Sequence, residues 1–412
     1  MRIAVIGSGV AGLVAAYKLG QNHNIVLFER EPRPGGHTNT VDVTVDGEVY
    51  PVDTGFIVHN SATYPGFIKL LEELKIPVRE TTMSFSVVDE KSGIEWRGSS
   101  VATLLAKRSN LMHPEFFWML LDIVRFNREA NRALSSPVNK DMTLREFCLE
   151  NRYSKAFARL YLVPLTAAIW SADPAFVLDA PASHILAFLD NHGLLQLRTP
   201  RTWRTIQGGA RTYVNALLER FRGVVKLGEC VNAVHRHASG VDVVTEKGVF
   251  PFDQVVIACH SDEALALLDS PSDKEQEVLG TMHYLENHAV LHTDASLLPT
   301  IQKVRASWNV RTGQDGNCSF TYSSNRLQGF RTSSEICVTL NAEDRIAPKH
   351  VIKKFTYSHP IIDRASVKAQ SRWHEINGVL RTWFCGAYWG YGFHEDGFQS
   401  ACRVVKALGG QG

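Results

Sequence analysis

The chain has 412 residues, of which 44% are hydrophobic and 21% charged, and its formal net charge is +2. This composition is ordinary for a globular protein with two sizeable domains, and the small net charge gives no indication of a nucleic-acid partner. The seven cysteines are dispersed, without a CxxC pair or metal-like spacing, which favours reduced thiols in a cytoplasmic protein over a disulfide framework. No apolar run is long enough to predict a transmembrane span.

The first 29 residues predict a dinucleotide-binding unit. An apolar strand over residues 1–6 runs into Gly7-Ser8-Gly9-Val10-Ala11-Gly12 and then into an apolar helix. Gly7 permits the tight turn, Gly9 lets backbone approach a pyrophosphate, and Gly12 lets the helix pack close to the strand. The helix N-terminus offers free N–H groups to phosphates, and Glu29 at the end of the second strand accepts ribose hydroxyls. The glycines also argue against a signal peptide.

Three separated segments, residues 1–60, 200–262 and 376–412, predict one α/β nucleotide-binding domain. The second segment contains a helix after Gly208-Gly209, then alternating strands that lead to a buried strand near residue 257. The third contains a strand near residue 384 and a final helix that opens at Glu395-Asp396-Gly397. Residues 61–199, which are helix-rich, and 263–375, an irregular mixed region, form an interleaved α+β substrate-binding domain.

Residues 111–126 predict an unusual helix that is apolar over most of its surface, with Lys107, Arg108, Arg125 and Arg128 nearby. One interpretation is a helix at a membrane surface or over an acyl-chain tunnel. The other is a well-buried core helix of the substrate domain.

The segment Arg33-Pro34-Gly35-Gly36-His37-Thr38 resembles the R-x-G-G-[RH]-T motif of FAD-binding oxidases in the flavin amine oxidase and phytoene desaturase superfamily. The resemblance covers most of the chain and implies FAD as cofactor in a discontinuous Rossmann-type domain. It also implies that backbone at Val231 contacts adenine and that the start of the final helix faces the flavin. The remaining implied cofactor contacts are Asp53, Thr54 and Gly55 in one segment, Gly386, and Glu395, Asp396 and Phe398.

The segment from Gly386 to Gly397 joins the last predicted strand to the last helix, where it is expected to pass beside the flavin. Amine-oxidising members of the superfamily carry an acidic residue where this chain has Ala387-Tyr388, and a cage tyrosine where it has His394. Their lysine near the flavin aligns with Asn287 or His288. His394 is the first candidate acid or base, because imidazole titrates near neutral pH, and His288 and Tyr388 are further catalytic candidates. The alternative for each histidine is a hydrogen-bonded structural side chain.

Four motifs, GGHTNTVDV, VDTGFIVHN, TTMSFSV and FCGAYWGYGFHEDG, resemble a subgroup of FAD-binding oxidoreductases associated with cyclopropane-fatty-acyl-phospholipid synthase-like methyltransferases. They also resemble the N-terminal region of plant cyclopropane synthases. The resemblance implies a desaturase or dehydrogenase that transfers hydride from an unsaturated, methyl-branched or unbranched, fatty acyl chain to flavin N5. It further implies a methyltransferase partner and a cytoplasmic protein with peripheral membrane contact. A fatty acid double-bond isomerase, an amine oxidase and a non-catalytic partner of the methyltransferase remain alternatives.

Overall fold

The computed structural model describes residues 1–135, 142–170, 173–195 and 201–410, and elements are numbered in chain order. A parallel five-stranded sheet has the order β10-β2-β1-β14-β20. Its strands are β1 (Arg2–Ile6), β2 (Asn24–Glu29), β10 (Gly223–Leu227), β14 (Gln254–Ile257) and β20 (Thr382–Phe384). Strands from all three predicted segments therefore meet in one sheet, and the predicted Rossmann-type α/β fold is confirmed.

Four helices cover this sheet: α1 (Val10–Leu19), α2 (Pro65–Glu73), α10 (Arg211–Arg220) and α16 (His394–Ala407). Their shared core includes Val5 and Ile25 from the strands and Leu13 and Val404 from the helices. Helix α2 also contributes Phe67, Leu70 and Leu71, so packing is continuous across the predicted domain boundary at residue 61. The predicted domain limits stay a prediction.

Three small antiparallel sheets border the nucleotide-binding layer. The strands are β3 (Thr40–Val45) with β4 (Glu48–Asp53); β5 (His59–Asn60), β9 (Trp203–Ile206) and β6 (Val78–Thr81); and β11 (Val231–His237), β12 (Gly240–Thr245) and β13 (Gly248–Phe252). The last set is the meander that the alternating apolar residues predict.

A seven-stranded sheet of order β19-β15-β18-β17-β16-β7-β8 forms the floor of the second layer. Its strands are β7 (Phe85–Asp89), β8 (Ile94–Arg97), β15 (Tyr284–His292), β16 (Trp308–Thr312), β17 (Cys318–Ser323), β18 (Cys337–Leu340) and β19 (Val351–Pro360). All pairs are antiparallel except β16 with β7. The region 263–375, expected to be irregular, thus supplies five strands of a regular sheet.

The remaining helices are distributed over both layers. They are α3 (Val101–Leu104), α4 (Pro114–Ser135), α5 (Leu144–Glu150), α6 (Lys155–Phe157), α7 (Val163–Trp170), α8 (Pro174–Val177), α9 (Ala182–Asn191), α11 (Ser261–Leu267), α12 (Asp273–Leu279), α13 (Ser324–Gln328), α14 (Arg364–Gln370) and α15 (Trp373–Ile376). Helices α7 and α9 share a core with Leu291 of β15 and Phe320 of β17. Over the described ranges, no helix combines the length and hydrophobicity needed to cross a bilayer.

Candidate functional site

The glycine-rich turn after β1 forms an open cradle at the N-terminus of α1. Gly7 has φ +99°, and a Cβ atom on Gly12 would lie 1.8 Å from the Gly7 carbonyl oxygen. Glycine accommodates the positive φ at position 7 and the close backbone contact at position 12, because it has no Cβ atom. A Cβ atom on Gly9 meets no atom within 4 Å, so the chain leaves room at the positive end of the helix. A bound pyrophosphate fits this arrangement.

Ser8 links two glycine loops to the acidic residue at the end of β2. The first glycine loop is residues 7–12, and the second glycine loop is residues 33–38. Its N–H and hydroxyl donate to Oε2 of Glu29 at 2.8 and 2.5 Å. Gly35 N–H donates to the Ser8 carbonyl at 3.0 Å. Oε1 of Glu29 accepts the Glu31 N–H at 2.9 Å, which leaves one lone pair of the carboxylate for a ribose hydroxyl, the contact that the motif predicts.

The second glycine loop is held from both sides. The Arg33 guanidinium donates to the carbonyl oxygens of Gly36 and Thr38 at 3.0 and 3.4 Å. On the other side, a Cβ on Gly55 would lie 2.1 Å from the His37 carbonyl oxygen. A Cβ on Gly36 would lie 3.2 Å from Cα of Gly9, which places this loop against the cradle.

Two residues that the sequence assigns to the cofactor use their side chains inside the protein. The buried carboxyl of Asp53 accepts hydrogen bonds from the Thr40 hydroxyl at 2.6 Å and from the Ala210 N–H at 2.8 Å, where α10 begins. Burial raises the pKa of Asp53 to about 7. The Thr54 hydroxyl lies 2.7 Å from the Tyr357 hydroxyl. Any cofactor contact from Asp53 and Thr54 therefore falls to their backbone.

At the start of α16, residues that the sequence assigns to the cofactor also use their side chains for contacts within the protein. The Glu395 carboxylate accepts the N–H groups of Gly66 and Phe67 at 2.9 Å each, so it caps helix α2. The Asp396 carboxylate accepts the Phe393 N–H at 2.9 Å and caps its own helix, and burial raises its pKa to about 6. The Phe398 ring packs in the core near Gly66, whose Cβ would lie 2.5 Å from it.

Val231 and Gly386 lie at the edges of the nucleotide-binding layer. Val231 begins β11, where a bulge follows it, and its side chain is buried. Gly386 follows β20, and its N–H donates to the Ser400 hydroxyl of α16 at 2.9 Å. A Cβ on Gly386 would lie 2.3 Å from the Tyr388 ring, so the residue permits a tight turn at this point.

His394 occupies a buried position between α10, the second glycine loop and α2. Its Nε2 lies 2.8 Å from the Tyr213 hydroxyl and 3.1 Å from the Thr38 hydroxyl. The ring stacks on Phe56 with centroids 3.7 Å apart. Burial lowers the pKa of His394 to about 3, so the ring is neutral near pH 7. These contacts are those of a positioning residue, while its catalytic role stays a prediction.

The other two catalytic candidates lie elsewhere. Tyr388 is buried in the core beside Trp389, and burial raises its pKa. His288 is exposed on β15, which differs from both the catalytic and the buried structural interpretation. No hydrogen bond or ring contact joins any two of His394, Tyr388 and His288, all of which lie in the described ranges.

The structure instead gathers a half-buried histidine cluster beside the second glycine loop, which sequence reasoning missed. The ring of His37 lies 5.5 Å from His359 and 5.9 Å from His260, between centroids. His37 Nε2 is buried and has no hydrogen-bond partner in the described part of the chain. Since the ring also bonds to the backbone of Ser358, that bond falls to Nδ1 and leaves Nε2 as a free acceptor.

His359 presents a hydrogen-bond donor at Nε2, whereas His37 presents an acceptor. The side-chain amide of Asn287 donates to its Nδ1 at 3.0 Å, and Asn341 in turn donates to the Asn287 carbonyl oxygen at 2.8 Å. This chain of bonds places the proton of the neutral ring on Nε2. Burial lowers the pKa of His359 to about 4. The sequence gives no sign that the two histidines meet: His359 lies 322 residues after His37, and no motif surrounds it.

An apolar cavity of about 30 Å³ opens beside His359. Apart from His359 and Thr166, its lining is hydrophobic: Trp170, Phe176, Val177, Ala180, Ile185, Leu285, Pro360, Ile361 and Ile362. Trp170 Nε1 donates to the Tyr391 carbonyl at 2.9 Å, which ties the cavity wall to the segment before α16. Within the described ranges, no group of three or more acidic, histidine or cysteine side chains is arranged to hold a metal ion.

Together, the parallel sheet, the cradle at α1 and the second glycine loop define a dinucleotide-binding site of the Rossmann type. The family model for flavin-containing amine oxidoreductases matches residues 10–326, and the chain belongs to this family. Members of the family bind FAD, and FAD is the cofactor of this enzyme.

Two curated relatives illustrate the family. The chain is 26% identical over 299 residues to a Mycobacterium tuberculosis protein named "Putative flavin-containing monoamine oxidase AofH", covering 67% of this chain and 61% of that protein. It is also 26% identical over 296 residues to coproporphyrinogen III oxidase of Mycobacterium leprae, covering 64% and 60%. The chain thus spans about three fifths of the length of these relatives.

Solved structures share the fold at low identity. Cyclohexylamine oxidase from Brevibacterium oxydans has a TM-score of 0.69 at 16% identity, with 99% of both chains covered. Putrescine oxidase bound to putrescine gives 0.69 at 14%, again with 99% of both chains covered. A fatty acid isomerase from P. acnes gives 0.69 at 14%, covering 99% and 98%.

Proposed function

We propose that this enzyme oxidises an unsaturated fatty acyl chain, and that the cavity beside His359 receives the reacting part of that chain. The observation that carries the proposal is the hydrophobic lining of the cavity, in which two of the described side chains are polar. Thr166 already donates to the Leu162 carbonyl at 2.5 Å, so His359 is the polar group available to a ligand. Apolar walls favour a hydrocarbon and exclude water from the reacting carbons.

The reaction removes two hydrogens from the acyl chain and leaves a new double bond. Bound FAD supplies the acceptor for a hydride equivalent from an allylic carbon, whose C–H bond is weaker than that of an alkane. The second hydrogen leaves as a proton, and we assign it to Nε2 of His37, which is unprotonated and has no hydrogen-bond partner among the described residues. The Nε2–H of His359 donates to a carbonyl or carboxylate oxygen of the acyl substrate and so orients it.

An amine substrate fits the cavity less well. An alkylammonium carries a positive charge near pH 7, and burying it is costly unless an anionic partner is present. Among the described residues, those that line the cavity include no carboxylate. The three neutral histidines nearby offer weaker compensation than a paired anion.

The experiment that tests the proposal is an anaerobic visible spectrum of the flavin-loaded enzyme before and after substrate is added. Bleaching of the oxidised flavin bands by an unsaturated fatty acid or phospholipid, and not by putrescine or an aromatic amine, supports the proposal. Bleaching by amines alone contradicts it. If lipid is recovered with a moved double bond and the flavin stays oxidised, the enzyme is an isomerase.

Two matched variants test the histidine cluster. We expect His37→Gln to retain FAD and lose lipid-dependent bleaching, whereas loss of FAD would assign His37 to cofactor binding alone. We expect His359→Gln to raise the substrate KM more than it lowers kcat, because the orienting bond acts mainly in binding. His288→Gln on the exposed side of β15 serves as the control and leaves both parameters unchanged.

A further inference from the structure

Helix α4 exposes an apolar surface in addition to the face that it buries. Phe116, Met119 and Phe126 point into the core. On another side, Trp118, Leu121 and Val124 are each 58% exposed. The sequence therefore encodes two apolar faces on one helix, and the interpretation as a well-buried core helix is wrong for the exposed face.

The exposed face continues onto the short 3₁₀ turn before the helix. Met112 is 83% exposed and Leu111 47% exposed. Together these side chains form a surface groove of about 330 Å³, which we call the α4 patch, lined by Leu111, Met112, Pro114, Phe117, Trp118 and Leu121. Contiguous exposed side chains of this size mark interaction sites, whereas scattered single ones do not.

Basic residues follow the patch along the same side of the helix. Positions 118, 121, 125, 128 and 132 recur at intervals of three or four residues, so the apolar residues are succeeded on one face by Arg125, Arg128 and Arg132. Arg108 is exposed at the other end of the patch.

The acidic residues of α4 are engaged within the protein. Asp122 bonds to Arg125 at 2.6 Å, Glu115 to Arg159 at 2.5 Å, and Glu129 to the Tyr153 hydroxyl. Arg125 is paired with Asp122, and Arg128 lies 4.0 Å from Glu129. Among the described residues, Arg108 and Arg132 are the arginines bordering the patch that have no acidic partner, so they supply the free positive charge beside its aromatic and aliphatic side chains. This charge pattern complements an anionic lipid surface.

We propose that the α4 patch docks the enzyme on a membrane that contains anionic lipids, with Trp118 and Leu121 inserted at the headgroup boundary. The proposal is independent of which substrate the active site takes. Trp118 offers a large apolar surface with a polar N–H, which suits the interface between water and hydrocarbon. The arginines add attraction that salt weakens.

The test is sedimentation of the flavin-loaded enzyme with vesicles of phosphatidylcholine alone or mixed with phosphatidylglycerol. We expect binding to the mixed vesicles, weaker binding at high salt, and a loss of about tenfold or more in W118S/L121S, since each side chain contributes apolar burial. The matched control is Val249→Ser, which removes a 60% exposed side chain from β13, outside the patch. Flavin content and unfolding temperature verify that each variant is folded.

Three results would overturn the proposal. The first is no binding to either kind of vesicle at low salt. The second is equal binding by the wild type and W118S/L121S. The third is a protein association, with a second copy or with a fatty-acyl-phospholipid methyltransferase, that W118S/L121S abolishes in the absence of any vesicle binding.

Discussion

The Tyr213 hydroxyl lies 2.8 Å from Nε2 of His394, and the Thr38 hydroxyl completes a triangle with both. The three side chains come from α10, from the second glycine loop and from the start of α16. One hydrogen-bonded group therefore joins the three segments that the nucleotide-binding domain draws from distant parts of the chain. The ring of His394 is held from its faces as well, by stacking on Phe56.

We expect His394→Ala to lower the free energy of unfolding by about 2–4 kcal/mol, because it leaves a cavity and removes the imidazole partner that the Tyr213 and Thr38 hydroxyls share. FAD content should persist and lipid-dependent turnover should be lost. The comparison with His394→Gln separates two roles, since glutamine can still bond to Tyr213 and Thr38. Turnover retained in His394→Gln identifies a positioning residue, and turnover lost there with normal stability identifies a base.

Gly9→Val should abolish FAD binding and leave the apoprotein folded. A Cβ at this position meets no protein atom within 4 Å, so the side chain occupies only the space that the pyrophosphate takes. The measurement is flavin absorbance per mole of protein, with circular dichroism as the folding check. Gly12→Ala provides the contrast: its Cβ would collide with the Gly7 carbonyl at 1.8 Å, so we expect misfolding. Normal FAD binding by Gly9→Val would contradict the assignment of the pyrophosphate to this turn.

Stability should rise with pH between about 4 and 6.5. Burial lowers the pKa of His359, His184 and His192 to about 4, below the value near 6.5 in the unfolded chain. The unfolded state therefore binds more protons in this window, and protonation favours unfolding. Asp53, with its pKa raised to about 7, opposes the trend, because its stabilising contribution is lost as pH rises toward 7.

Denaturant unfolding at a series of pH values measures this dependence. In His359→Gln we expect the slope of unfolding free energy against pH to fall by about one proton between pH 4 and 6.5. His288→Gln should keep the wild-type slope. Equal slopes in all three proteins would show that burial of His359 does not set its protonation.

Glu395→Ala should destabilise the protein by about 1–3 kcal/mol, because it removes a charged acceptor from two N–H groups at the start of α2. FAD content should stay unchanged, since the carboxylate is used by α2. Thermal unfolding with flavin added in excess is the measurement, and exposed Glu219→Ala is the control. If Glu395→Ala has normal stability but fails to bind FAD, the Glu395 side chain contacts the cofactor, as the sequence motif implied.

Local sequence was sufficient for the nucleotide-binding unit. The turn from β1 into α1 and the acidic end of β2 depend on residues within 29 positions, so glycine spacing and apolar runs predicted them. The assignment of Asp53 and Glu395 to the cofactor came from a motif, which does not reveal whether backbone or side chain makes the contact. In the structure both carboxylates cap helices that lie far away in sequence.

The histidine cluster was beyond sequence reasoning for a related reason. His37, His260 and His359 meet because β19 passes beside the second glycine loop, and that approach depends on pairing across the seven-stranded sheet. Similarly, β7 pairs with β16, although more than 200 positions separate Phe85 from Trp308. Strand alternation predicts strands but not such partners.

The direct packing of the first helix against the last has a consequence for biosynthesis. A Cβ on Gly397 would lie 2.7 Å from the Val10 side chain, so α1 and α16 form adjoining walls of the nucleotide site. During translation, the cradle at Gly9 emerges first and α16 hundreds of residues later. The site is therefore incomplete until α16 has been synthesised, and cofactor capture joins segments made hundreds of residues apart.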